Sequence, residues 1–244
     1  MIGVESVYRL AGVVLAIAAI VNLRDRTNPR RAATALFWAA FSAVLLFGSA
    51  LPPFASGCLV IVMALVGGLG RLGRGAPGTT TPAERAESAR RYGNRLFVPA
   101  LVIPGLTLLA TLGLRGVTVG GAPLFDPKNL SLIALGLSAL VALVVALSLL
   151  RQPLLAPARE SRRLLDLVGW AAALPQLLAA LGALFSSAGV GDRLAELIGR
   201  VVPLDHRLGV VCTFTLGMAF FTIVMGNAFA AFPMMTAAVG IPLI

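Results

Sequence analysis

The sequence predicts an all-α polytopic membrane protein of about seven spans, with a broken helix or re-entrant hairpin at its C-terminal end. Three observations carry that class. The 244 residues are 58% hydrophobic and only 12% charged, with a mean hydropathy of +0.93. Apolar runs of about 20 residues recur, the length a helix needs to cross a bilayer. The basic residues occupy short links between those runs and form no separate domain. The net charge of +10 therefore reflects membrane topology and gives no reason to expect a nucleic-acid partner.

The first span runs from Val7 to Leu23, with Glu5 and Arg9 at its outer edge. Its basic cluster, 24–31, follows the apolar run, the reverse of a cleavable signal. The second span is Ala32 to Ala50, and Leu51-Pro-Pro53 turns the chain into a third, Phe54 to Gly70. The polar segment 71–95 contains a small helix near 82–92. Thr81-Pro-Ala-Glu84 reads as a capping box with proline at the first helical position. Glu84 and Glu87 come early, Arg90 and Arg91 late, and Gly93 follows, the order a helix dipole favours. This helix is read as cytoplasmic and solvated; a partner-docking surface is the alternative. Leu96 to Leu114 is the fourth span, kinked by Pro99 and Pro104, and Leu130 to Leu150 the fifth. The sixth begins near Leu164 and ends near Phe185. An amphipathic piece, Asp192 to Val202, then precedes a seventh that opens at Leu208. Residues 1–163 thus read as a transmembrane scaffold and 164–244 as a separate C-terminal unit. The apolar segment at Ile244 has no polar flank, so further chain is expected beyond it.

Charge sorts the links into two sides. Those after spans one, three and five hold 4, 6 and 4 basic residues; the N-terminus and the links after spans two, four and six hold 1, 0, 2 and 3. By the positive-inside rule the first set is cytoplasmic and the N-terminus outside.

The stretch that points to function follows Leu208 to Val224. Gly226 and Asn227 interrupt the apolar run and Pro233 follows. Glycine tolerates helix-ending conformations, and proline removes a backbone donor. Lipid cannot satisfy the freed groups, so such a break needs protein or a water-filled cavity beside it. Transporters use breaks of this kind to aim backbone dipoles at a substrate; a kinked helix that merely packs closely is the alternative. Thr215, Ala219, Thr222 and Gly226 share one helical face, and Phe214 and Phe221 lie on another. On the sixth span Asp166, Gly169, Ala173 and Gln176 also share a face. Polar groups inside spans are costly and suggest function, although Asp166 lies within one turn of the edge, where headgroups or Arg162 and Arg163 are alternative partners.

Soluble-type catalysis finds no motif. His206 is the single histidine and sits beside Asp205 and Arg207 in a link. There is no G-x-S-x-G, P-loop or dinucleotide fingerprint, so neither an enzyme nor a cofactor is expected. Cys58 and Cys212 lie in apolar runs and read as packing residues, not as a disulfide or metal pair.

Met225-Gly-Asn-Ala-Phe-Ala-Ala-Phe-Pro-Met-Met-Thr-Ala-Ala-Val-Gly-Ile-Pro-Leu-Ile244 resembles the signature of a bacterial inner-membrane family, formerly of unknown function. That family is described as one subunit of a two-subunit 5-oxoproline (pyroglutamate) transporter. Ala35-Leu-Phe-Trp38, Gly93-Asn-Arg-Leu-Phe97, Asp126-Pro-Lys128 and Arg163-Leu-Leu-Asp-Leu-Val-Gly-Trp170 are similar as well, and the resemblance covers essentially the whole chain. It implies a smaller membrane partner subunit and a small carboxylate substrate. More loosely, the arrangement is similar to the ion-transporter superfamily, in which a re-entrant hairpin precedes a broken helix bearing an asparagine motif. Ala183 to Asp192, followed by Gly226 and Asn227, would be one such repeat, which would make 164–244 a transport-type unit of hairpin and broken helix. The segment read as the sixth span would then be partly a hairpin that does not cross, and the span count would fall. The hydroxyl that precedes the asparagine there is Gly226 here, leaving the coupling ion open between sodium and proton. The expected substrate-binding residues are Gly226, Asn227, Thr222, Gln176, Ser186, Ser187, Pro233 and Thr236.

Overall fold

The computed structural model describes residues 2–76, 81–119, 122–153, 155–201, 207–226 and 228–240. The chain divides into two compact units, Met1–Gly169 and Trp170–Ile244. The first opens with three helices, α1 (Glu5–Arg24), α2 (Arg31–Phe47) and α3 (Pro53–Gly68), each packed on the next. Early α1 meets late α2, so the pair is antiparallel. Glycine makes their approach close: a Cβ at Gly12 would lie 2.7 Å from Leu46 Cγ, and Ser42 Oγ donates to the Gly12 carbonyl at 2.7 Å. Small residues and hydroxyls at a helix contact are the way apolar helices pack where hydrophobic driving force is weak. Phe37 and Trp38 fill the space beneath, fully buried, with ring centroids 4.9 Å apart.

Helix α4 (Pro82–Tyr92) carries the capping box expected from the sequence. Thr81 N–H donates to Glu84 Oε2 at 2.7 Å, and Glu84 N–H donates to Thr81 Oγ1 at 3.2 Å. Gly93, at φ +50°, closes α4, and a 3₁₀ turn (Gly93–Phe97) leads into α5 (Val98–Gly113). Its threonines Thr107 and Thr111 each donate to the carbonyl four residues back at 2.7 Å, so neither hydroxyl is left bare on an apolar helix. Helix α5 packs on α6 (Leu130–Leu150). Between them lies a small ribbon of β1 (Thr118–Val119) and β2 (Ala122–Pro123), the only departure from helix among the described elements. Ile2 bonds to the same link, its N–H to Leu124 O at 2.7 Å.

The sixth expected span, Leu164 to Phe185, is not one helix. Helix α7 (Ala156–Val168) is amphipathic and docks on α1, and Gly169, at φ +57°, ends it. A 3₁₀ turn (Gly169–Ala172) follows before α8 (Leu174–Ser187) begins. The reason is local: α7 turns Arg162 and Asp166 inward toward α1, and the left-handed glycine cannot continue the helix. The two compact units divide after Gly169. Among the described residues, three helical stretches are long and apolar enough to cross a membrane: Glu5–Arg24, Pro82–Gly113 and Leu130–Leu150. Arg31–Phe47, Pro53–Gly68 and Leu208–Val224 are shorter apolar helices.

The second unit continues from α8 through a turn at Gly189 (φ +67°) into α9 (Val190–Val201). This helix exposes Asp192, Arg193, Glu196 and Arg200, with Glu196 paired to Arg193 at 3.3 Å and to Arg200 at 2.5 Å. Its opposite side, Leu194 and Ile198, packs on a core of Val210, Met235, Ala238 and Val239. Those residues come from α10 (Arg207–Met225), α11 (Ala228–Met235) and a π-helical stretch, Thr236–Gly240.

Candidate functional site

Apolar residues drive α10, and Gly226 stops it. Gly226 adopts φ +68°, in the left-handed region that costs a residue with a Cβ about 1–2 kcal/mol. The break is a reversal and not a kink within a rod. In a continuous helix Gly217 and Met235 would stand about 27 Å apart, at 1.5 Å per residue. Instead, a Cβ on Gly217 would lie 2.9 Å from Met235 Sδ, and one on Gly240 would lie 3.6 Å from the Phe214 ring. The chain thus doubles back at Gly226 into an antiparallel helical hairpin, sealed by Val210, Phe214, Met218 and Phe221 of α10. Gly217 has no side chain, which is what lets Met235 reach the α10 backbone.

The hairpin separates the expected site residues into two levels. Gly226 is at the tip, and Thr222 lies half-buried one turn below it on α10. Asn227 falls outside the described residues, as do the side chains of Ser186 and Pro233. Thr236 sits about halfway down the return arm, opposite the middle of α10. There the backbone widens from α into π geometry, and the buried Thr236 hydroxyl has no partner among the described residues. Other helical threonines behave differently: Thr213 and Thr215 donate to the carbonyls of Gly209 and Val211 at 2.7 and 2.8 Å. Short π-helical insertions recur at functional sites, and a buried polar atom left unpaired calls for a ligand or a reason.

The remaining expected residues are engaged locally. With its amide turned so that nitrogen faces them, Gln176 donates to the carbonyls of Ala172 and Ala173 at 2.9 and 3.2 Å. Ser187 Oγ donates to Leu184 O at 2.9 Å, and both side chains are exposed. Thr215 and Ala219, on the helical face shared with Thr222 and Gly226, are also exposed, because the return arm packs on the Phe214 and Phe221 side.

Sequence reading missed a second polar centre, in the first unit. Asn22, buried at the end of α1, donates through Nδ2 to Asp166 Oδ1 at 3.1 Å. Arg162, on the same face of α7, pairs with Asp25 at 2.9 Å and approaches Asp166 at 3.7 Å. Burial raises the Asp166 carboxyl above the ordinary value, against the pull of Asn22 and Arg162. At Asp25 burial pushes the same way, but Thr27 and Arg162 outweigh it and hold the carboxyl below its usual range. The buried Trp38 indole N–H lies near Asp166 without a formed hydrogen bond. A third segment crosses this centre. Arg74 Nε donates to Asp166 O at 3.1 Å, Gly73 N–H to Thr34 Oγ1 at 2.9 Å, and Ala76 N–H to Thr27 Oγ1 at 2.9 Å. The links after α1, after α3 and after α6 therefore meet at one end of the unit. Their pairing spans up to 144 residues of sequence, and the only signal for it was the shared excess of arginine.

Among the described residues no group of three histidine, cysteine or acidic side chains is placed to hold a metal ion, and Cys58 and Cys212 are exposed free thiols. Compared with known proteins, residues 5–244 match a family model described as a protein of unknown function, DUF979. No curated protein and no solved structure matches the chain.

Proposed function

We propose, for a chain that belongs to the DUF979 family of proteins of unknown function, that it is a subunit of a secondary transporter for a small carboxylate. 5-Oxoproline is the substrate its signature residues suggest. The reading places it in a bacterial inner membrane as a multi-pass protein, N-terminus outside, with a smaller membrane subunit beside it. The observation that carries the reading is the unpaired Thr236 hydroxyl at the start of a π-helical stretch, halfway down an apolar hairpin. A hydroxyl buried in an apolar hairpin with no partner among the described residues calls for a polar occupant or a wet cavity there. Backbone dipoles at the Gly226 reversal, with Asn227 and Thr222 nearby, add a second polar level at the tip, the usual way broken helices hold carboxylates. Asn227 offers both a donor and an acceptor, which suits a carboxylate next to a lactam amide.

Radiolabelled 5-oxoproline uptake in cells expressing this chain with and without its neighbouring membrane subunit tests the proposal. Uptake is expected only with both, and Asn227→Ala is expected to abolish most of it in a complex that still assembles. The competing reading is a membrane subunit that stabilises a partner permease; the local engagement of Gln176 and Ser187 favours it. On that reading Asn227→Ala lowers recovery of the complex and leaves substrate affinity alone.

A further inference from the structure

Arginines cluster at the start of α2 in a way the first unit does not itself neutralise. Arg30, Arg31 and Arg71 line one cavity of about 420 Å³ together with Pro29, Ala32 and Leu69. None of the residues lining it is acidic. Asp25, the nearest acid in sequence, is committed to Arg162 and Thr27. The cavity sits at the positive end of a helix dipole: Arg30 caps α2 without a side-chain hydrogen bond, and the first turn holds no acidic residue. Cations are unfavourable at a helix N-terminus by several tenths of a kcal/mol each, so two arginines there are electrostatically strained unless an anion joins them. Arg30 is partly spent, since its guanidinium donates to Gly70 O; Arg31 and Arg71 are exposed.

The surroundings select the kind of anion. The cavity lies where two apolar helices, α2 and α3, meet at their polar ends. Leu69 on its rim is 68% exposed, and Leu65 one turn along α3 and Leu36 one turn into α2 are exposed as well. A soluble anion has no use for that apolar ridge, whereas a lipid would lay its acyl chains along it. We propose that this cavity binds the phosphate of an anionic phospholipid, with Arg31 and Arg71 as the free guanidinium forks and the α2 amides behind them. The proposal rests on the membrane placement of α2 and α3, not on the carrier reading.

The test titrates the intact purified protein in detergent with three probes: short-chain phosphatidylglycerol, phosphatidylcholine of the same chain length, and inorganic phosphate. Phosphatidylglycerol is expected to bind the wild type, and about thirtyfold more weakly the Arg31→Gln/Arg71→Gln double variant, since each basic group near a lipid surface contributes about a fivefold factor. Phosphatidylcholine is expected to bind weakly to both proteins. Arg71→Gln alone, in a segment without helix or strand, gives an intermediate loss should the double variant misfold, and Arg115→Gln, at the unit's other end, changes nothing. Equal binding of the two lipids, undiminished phosphatidylglycerol binding by the variants, or no lipid binding at all would overturn the site. Inorganic phosphate binding as tightly as phosphatidylglycerol would overturn its assignment to lipid. None of these readings depends on uptake, so the site and the carrier function fail separately.

Discussion

The two units handle polar groups inside apolar helices differently, although buried atoms without a partner among the described residues occur in both, at Asn22 Oδ1 and Trp38 Nε1 in the first and at Thr236 Oγ1 in the second. In the first, Asn22, Asp25, Arg162 and Asp166 come from two helices and a link and bond one another, and Arg74 lays a third segment over them. In the second, the chain reverses at Gly226, widens into π geometry at Thr236 and leaves a hydroxyl unpaired. A bonded centre fixes helices in place. An open one leaves polar capacity for something that is not part of the chain. The first unit draws three basic links together, and the second buries one hydroxyl inside an apolar hairpin with no partner among the described residues.

That contrast is breakable at each end. The largest expected effect belongs to Arg162→Met. Removing the guanidinium leaves Asp25 and Asp166 buried near each other without their cation, and breaking a buried pair costs about 3–5 kcal/mol. Thermal unfolding in detergent should show a large drop. The drop should shrink on acidification: Asp25 is held below its ordinary value with Arg162 present, so that stabilisation is present above about pH 4 and fades as pH falls through the depressed pKa. An unchanged melting curve would mean the cluster is not what docks α7 on α1.

The smallest effect on stability belongs to Thr236→Val. The hydroxyl has no partner among the described residues, so exchanging it for a methyl of similar shape should change stability by less than about 0.5 kcal/mol, and can raise it. Uptake should fall by an order of magnitude or more in the same protein. A stability loss with uptake intact would assign Thr236 to packing and remove the basis for a polar level inside the hairpin.

Much of this architecture can be read from the chain. The apolar runs of α1, α2, α3 and α6 announce their helices by length, and the Thr81 to Glu84 capping box forms as its spacing requires. Gly226 reads as a break because glycine, alone among residues, enters left-handed geometry at no cost. Direction stayed open in the sequence, between a broken helix and a hairpin. A glycine in an apolar run signals an interruption, but whether the chain bends or reverses depends on what the returning arm can touch, here Gly217 against Met235. The sixth expected span failed for a related reason. Its apolar count concealed an amphipathic α7 whose charged face had partners far away in sequence, and Gly169 then separated α7 from α8. Asp166 was legible as an ionisable residue near a helix end; its bond to Asn22 was not, because no local pattern links positions so distant.

The reversal at Gly226 is the claim on which the hairpin, its two polar levels and the carrier reading all stand. A Gly217→Cys/Met235→Cys pair, in a chain whose Cys58 and Cys212 are replaced by alanine, measures it directly through peptide mass mapping after mild oxidation. The hairpin predicts a bridged peptide joining the two positions, since a Cβ at position 217 would lie 3.9 Å from Met235 Cγ. Recovery of both introduced thiols in the free form, as expected of a continuous helix that holds them about 27 Å apart, would contradict it.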